Sequence, residues 1–413
     1  MKSFWVFGFI LVMIPVLAAG KITIGKIDVV NQTDIKAVKI PGEKGVKVLL
    51  HDVLIEGHQG KKIMFIVQVY KNSLENMPMV SIPFDISKNS EKINLIEYEV
   101  PMSDIFRYLG KGPHKAYIVV SQLEIDPYGE ANLLKENIKS IPISFDFKED
   151  MKNLFTMDID YNMGKIAEYA QKMPEFASLQ SLCSEYGISA FIDKYTPDAF
   201  FTSIASWKNC SSADLEILGY YLKTFIPEWN KYPKELIKNI KLKVVAFVKD
   251  LKYLGGIEVG GLANVNAGIL LLNVNYGEPE SVIYLTHHEF FHYVDVIITG
   301  PQEFNNDKNW EKLNPSGFKY TGAGLKMIDT GANIHEFYPE KGFITRYAMS
   351  AVEEDKAEVF AYLMDSKLYS KDVEGILKTD KVLKKKFDYM KELLRKITPD
   401  FSEEYFQKIH SKK

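Results

Sequence analysis

The chain has 413 residues, of which 46% are hydrophobic and 25% charged, with a formal net charge of -3 and a pI of about 6.3. This is ordinary globular composition with room for two or three domains, and it lacks the basic stripe that nucleic-acid binding requires. The short run Lys384-Lys385-Lys386 does not alter that balance and reads as a solvated helix face.

Residues 1–20 read as an export signal that is removed. Lys2 supplies a positive start, Phe4 to Leu17 is apolar apart from Gly8 and Pro15, and Ala18-Ala19-Gly20 offers small residues for cleavage. A membrane span needs roughly 20 apolar residues, so an uncleaved anchor is the lesser reading. The expected location is secreted or extracytoplasmic, with no transmembrane span once the signal is gone. Only Cys183 and Cys210 are present. In an exported protein they form either one disulfide or two buried thiols.

From 21 to 147 the signals are strand-like. Val46 to Leu50, Ile63 to Tyr70, Ala116 to Val120 and Ile141 to Phe145 are rich in β-branched and aromatic residues, with Gly, Pro, Asn and Lys clusters between them. Short strands so spaced predict an antiparallel β-sandwich. It reads as an accessory module for surface or polymer contact, or as a plain stabilising domain. The charged stretch Lys148 to Lys152 marks the boundary, and 150–413 reads as a second, mainly helical domain with a small sheet. The chain as a whole is therefore expected to be α+β. Within the second domain we expect a helical lead-in (150–250), a core (251–365) and C-terminal helices (366–413). Met163 to Met173 and Ala213 to Phe225 carry helical periodicity, punctuated by Pro174, Pro227 and Pro233. Lys241 to Leu251 is a strand or the end of a helix. Ile269 to Val274 is a strand, and Ser281 to Ile298 is a long helix, apolar almost all round and so expected to be buried.

That helix carries His288-Glu289-Phe290-Phe291-His292, the HExxH pattern of zincins. Imidazoles at i and i+4 share one helix face and can grip one Zn2+, while the intervening glutamate reaches the water bound to it. Two histidines and a glutamate on a buried helix otherwise carry a desolvation cost of several kcal/mol. A catalytic zinc normally has a third protein ligand. The stretch Tyr347 to Ala361 offers one: Ser350 and Glu353 read as a capping box that starts a helix, with Glu354 and Glu358 four residues apart on one face. One carboxylate can bind the metal while the other holds a ligand histidine by a hydrogen bond. Glu353 and Asp355 read as solvated acids near the helix N-terminus.

His288, Glu289, His292, Asp295, Tyr347, Glu354 and Glu358, with seven positions from Tyr347 to Glu354, resemble the lethal-factor and Pro-Pro-endopeptidase group of zincins over roughly Leu251 to Met364. The resemblance implies a peptidase with one Zn2+ per chain, held by His288, His292 and Glu354. It implies Glu358 and Asp295 as supporting residues, Glu358 towards His288, and Tyr347 as a stabiliser of the tetrahedral oxyanion or an aid to the leaving group. Glu289 is the expected general base, and a peptide or protein the expected substrate. Gly268, Ile269 and Leu270 are expected on the edge strand that the substrate extends. The interval from His292 to Glu354 is longer than usual in that group, with Asn309 to Tyr320 as the inserted stretch.

Two alternatives stay open. Glu311 follows His292 at the spacing of thermolysin-like aminopeptidases, and Gly260 to Asn264 resembles their GxMEN strand, although Ala263 stands where that strand has its amine-anchoring glutamate. The other is an exported surface- or polymer-binding protein with an inactive peptidase domain.

Overall fold

The computed structural model describes residues 21–31, 46–56, 62–73, 80–85, 92–100, 105, 112–125, 131–147, 154–196, 201, 205–253, 256–265, 267–300, 306–322 and 337–411. The expected export signal lies outside these residues. The fold is mixed α+β and divides into two compact units. The first is residues 1–158 with 196–206 and 253–255; the second is 159–195, 207–252 and 256–413.

Strands of the first unit are β1 (Lys21–Asn31), β2 (Val46–Glu56), β3 (Lys62–Lys71), β4 (Val80–Asp85), β5 (Lys92–Val100), β6 (Gly112–Ile125) and β7 (Ala131–Phe147). They form two antiparallel sheets, ordered β1-β2-β5 and β4-β3-β6-β7. Burial follows period two in β2, where Val46, Val48 and Leu50 are buried, whereas in the inner strand β3 Phe65, Val67 and Val69 are buried on one face and Gln68 and Tyr70 on the other.

A five-stranded sheet, in the second unit except for Ala205, Ser206 and Tyr253, is built of β8 (Ser189–Phe191), β9 (Ala205–Asn209), β10 (Val244–Tyr253), β11 (Gly261–Asn264) and β12 (Ile269–Asn273), ordered β11-β12-β10-β8 with β9 also on β10. The ambiguous Lys241 to Leu251 stretch is thus largely strand. β8 and β12 run parallel to β10, and β11 runs antiparallel to β12. This corrects the expected substrate edge. Ile269 and Leu270 pair with Val244 and Val245 on one side and with Asn264 and Ala263 on the other. The Gly268 carbonyl accepts from Lys243 N and Val244 N. β12 is buried at all five positions, as a continuous apolar run on an inner strand should be. The edge is β11.

Helices α1 (Leu154–Ala170), α2 (Pro174–Tyr186), α3 (Leu215–Trp229), α4 (Pro279–Thr299), α5 (Val352–Met364), α6 (Lys381–Ile397) and α7 (Glu403–Ser411) complete the main elements. Pro174 opens α2 at N1, where its missing N–H is harmless. α3 runs through Pro227 instead of stopping at Phe225. The ring removes one backbone bond, but the last turn is held by Trp229, which is fully buried and edge-on to Phe290 of α4. Among the described residues no helix is long and apolar enough to cross a membrane.

Candidate metal centre

Pro279 at the first turn starts α4, and Glu280 lies in that turn where the helix dipole favours an acid. Val282, Phe290, Phe291, Tyr293 and Val294 are buried and press the helix into the core, each large side chain contributing about 1.5–3 kcal/mol. The burial is not all-round as expected: Glu280 is exposed in the first turn, Ile283, Tyr284 and Leu285 are half-buried, and Ile297 in the last turn is 37% exposed.

That packing leaves one stripe for polar groups. His292 Nε2 lies 3.1 Å from His288 Nε2, which lies 3.1 Å from Glu354 Oε2 of α5, and the third edge, His292 Nε2 to Glu354 Oε2, is 3.4 Å. Zinc bonds of roughly 2.0–2.1 Å at tetrahedral angles would separate the ligand atoms by about 3.3 Å, so this triangle fits one zinc ion. The donor set, two imidazole nitrogens and one carboxylate, is also the usual one. These three residues are the one group of at least three His, Cys, Asp or Glu that could hold a metal among the described residues. His288 and Glu354 side chains are 5% exposed, whereas His292 is 23% exposed, so the triangle is open on the His292 side.

Electrostatics favour a cation here. Burial alone would depress the His288 imidazole, but Glu354 and Glu358 outweigh it and push the pKa up to about 10. Burial likewise opposes the Glu354 carboxylate, yet His292 and His288 hold it well below the ordinary range. The same carboxylates would attract a metal ion, which would displace the proton from His288 Nε2.

Behind His288 stands a chain of hydrogen bonds. Its Nδ1 is 3.0 Å from Glu358 Oε1, and Tyr284 Oη, also 3.0 Å from Nδ1, donates to the same oxygen. Thr345 Oγ1 donates to the other oxygen, Oε2, at 2.8 Å, and itself accepts from Ala348 N. Both Glu358 oxygens are thus engaged, and Nδ1–H is held so that Nε2 faces Glu354 and His292. Tyr284 and Thr345 were not singled out from the sequence. Tyr284 sits one turn before His288, a spacing that is a usable signal; Thr345 gives none.

Tyr347 is buried, its ring centroid 5.9 Å from that of His288. Burial first, then the Glu354 and Glu289 carboxylates, hold its phenol well above the ordinary value, hence protonated. His287, which sequence reasoning passed over, is fully buried beside the ligands. Burial depresses its pKa, so the ring is neutral; Tyr232 Oη donates to Nδ1 at 2.5 Å and Nε2 donates to Glu228 at 2.9 Å. These bonds tie α4 to Glu228 of α3 and to Tyr232 just beyond it.

Several acids sit differently from expectation. Asp295 is fully buried in an ion pair with Lys356 of α5, 2.7 Å away, and so links the two helices that carry the triangle. Asp355 is fully buried too, accepting from Trp310 Nε1 (2.8 Å), Tyr320 Oη (2.7 Å) and Lys386 Nζ (2.6 Å). Lys386, read as solvated, is fully buried and also lies 3.6 Å from the Phe343 ring centroid. Glu353 is 1% exposed and, among the described residues, neither oxygen has a side-chain partner or another residue's backbone as partner; burial pushes its pKa up to about 8. The capping box does not form: Ala351 is the N-cap, and Ser350 Oγ donates to the Tyr347 carbonyl. α5 is buried along its whole length, so its acids were never surface groups. The inserted stretch is docked on α5 through Trp310 and Tyr320. Glu311 instead bonds Lys308 of its own turn and lies outside the triangle. Cys183 and Cys210 are both buried and free.

Residues 216–410 match a family model described as "Putative zinc-binding metallo-peptidase". The match spans α4, α5, His288, His292 and Glu354. It supports a zinc metallopeptidase acting on a protein or peptide substrate. No curated protein matches the chain.

Proposed function

We propose that this chain is an exported zinc-dependent endopeptidase of the lethal-factor-like type. The observation that carries the reading is the triangle of His288, His292 and Glu354, sized for one zinc and lying within a stretch that matches zinc-binding metallopeptidases. Bound there, zinc would supply a Lewis acid that lowers the pKa of a water and polarises a carbonyl. Glu289, between the two histidines and half-buried, takes the proton from the attacking water and delivers it to the leaving amine. Tyr347, kept protonated by burial and by the acids around it, donates to the developing oxyanion. Glu358, set by Tyr284 and Thr345, fixes the His288 ring. β11, the sheet edge alongside α4, takes an extended substrate as an additional strand. Ala263 lies in β11, so that strand offers no carboxylate to a terminal amine, which favours cleavage within a chain.

The two antiparallel sheets of residues 21–147 form, in this reading, a sandwich that serves as an accessory module, and residues 1–20 direct export. A purified exported form beginning near Lys21 would be expected.

The deciding experiment pairs Glu289→Gln with metal analysis. The variant should hold one zinc per chain and lose nearly all hydrolysis of a peptide library. Turnover at the wild-type rate would remove Glu289 from its role. A wild-type protein that holds zinc but cleaves nothing would favour the binding-protein alternative.

A further inference from the structure

Next to Glu289 the sheet comes unusually close to α4. A Cβ on Gly261 would sit 2.8 Å from Glu289 Cγ, 3.0 Å from Glu289 Cβ and 2.7 Å from the Leu271 carbonyl oxygen. A Cβ on Gly260 would sit 3.2 Å from Glu289 Oε1, and 2.4 and 3.1 Å from the two methyls of Leu285. Real Cβ atoms essentially never approach other heavy atoms within 3.0 Å. The backbone here is pinned on its β12 side. Asn273 N donates to the Gly260 carbonyl at 2.8 Å, and Gly261 pairs with Leu272 of the inner strand. The Glu289 side chain therefore lies alongside bare main chain that leaves no room for a further carbon beside its stem at Gly261 and only tight room beside its carboxylate end at Gly260, where Leu285 is closer still.

We propose that Gly260 and Gly261 are positioning residues for Glu289: the absence of side chains on this pair sets where the carboxylate stands relative to His288 and His292. This rests on Glu289 being the general base. A base must stay within hydrogen-bond reach of the proton it moves, and a misplacement of about 1 Å can cost on the order of 100-fold in rate. Among the described contacts those of the ligand triangle run to one another, to Tyr284 and to Glu358, so metal binding and base placement can be read separately.

The bland account is that the glycines only make room for sheet–helix packing, Gly260 for Leu285. Four variants of the full chain separate the two: Gly260→Ala, Leu285→Ala, the double variant Gly260→Ala/Leu285→Ala, and Glu289→Gln. Each is zinc-loaded for kinetics on the best-cleaved member of a quenched fluorescent peptide library, and Co2+-loaded for its visible spectrum. Gly260→Ala should keep one metal per chain and an unchanged Co2+ spectrum, with KM within roughly threefold of wild type and kcat reduced by about tenfold or more. Leu285→Ala should stay active, and the double variant should remain as impaired as Gly260→Ala, because the contact with Glu289 persists. Recovery of kcat in the double variant would assign the glycine to packing and overturn the proposal, as would loss of metal or an altered Co2+ spectrum in Gly260→Ala. Glu289→Gln keeps the two readings apart. If it stays active, the base assignment fails, and this inference with it. If it is inactive while Gly260→Ala keeps full kcat, only the positioning claim fails. Gly261→Ala is the weaker probe, because its Cβ also meets main chain of β12.

Discussion

Lys356→Met should be one of the most damaging single changes in the second unit. Lys356 and Asp295 are both fully buried, 2.7 Å apart, and join α5 to α4. At an effective dielectric of about 20 their attraction is roughly 6 kcal/mol, most of it offset by the desolvation of two charges. Removing the cation alone forfeits the attraction and leaves the carboxylate buried, so the expected loss is about 3–5 kcal/mol. Burial already holds the Asp295 carboxyl above its ordinary value even with Lys356 beside it. Without the lysine that rise grows, and the folded variant binds a proton that the unfolded chain has released. Its stability relative to wild type should therefore fall as pH rises from about 4 towards 8. In a form beginning near Lys21, which lacks Trp5, the remaining Trp207, Trp229 and Trp310 all lie in the second unit, so tryptophan fluorescence during urea unfolding reports on it. With a slope of about 3 kcal/mol per molar, the midpoint should drop by roughly 1 M or more at pH 8 and by less at pH 5. Asp295→Leu/Lys356→Met, which removes both charges, should recover much of the loss. A single variant within about 0.5 kcal/mol of wild type, or a double variant no better than the single, would refute the reasoning.

Glu354→Ala should weaken zinc retention on dialysis, whereas Glu311→Ala, whose carboxylate is bonded to Lys308, should retain one zinc per chain; the reverse pattern would support the aminopeptidase-like ligand set. Thr345→Val and Tyr284→Phe each remove a donor from Glu358 and should weaken zinc affinity by roughly 10–100-fold in competition with a chelator. Trp310→Phe takes one donor from Asp355 while Lys386 and Tyr320 remain, so thermal stability should fall by about 1–3 kcal/mol. Burial pushes the Cys183 and Cys210 thiols up to about 12, which leaves a thiolate fraction of about 10⁻⁴ at pH 8; native protein should react with Ellman's reagent only slowly, and denatured protein should show two thiols without reductant. Two fast native thiols, or none after denaturation, would contradict the buried free pair.

What the sequence settles by itself is local. Helical geometry puts residues i and i+4 on one face, so His288 and His292 converge wherever α4 packs, and Glu354 and Glu358 share a face of α5 for the same reason. Composition and periodicity likewise suffice for a strand-rich stretch followed by a mainly helical one. Only the tertiary structure decides which face meets which partner across 60 and more residues. It buries Glu353 and Asp355 because α5 runs through the interior, where local acid-at-the-N-terminus reasoning does not apply. It moves the sheet edge to β11, because pairing is a property of neighbours and β12 has one on each side. Tyr284, Thr345 and His287 acquire their roles from groups brought in by other elements, and the close approach of Gly260 and Gly261 to Glu289 exists only once sheet and helix are packed.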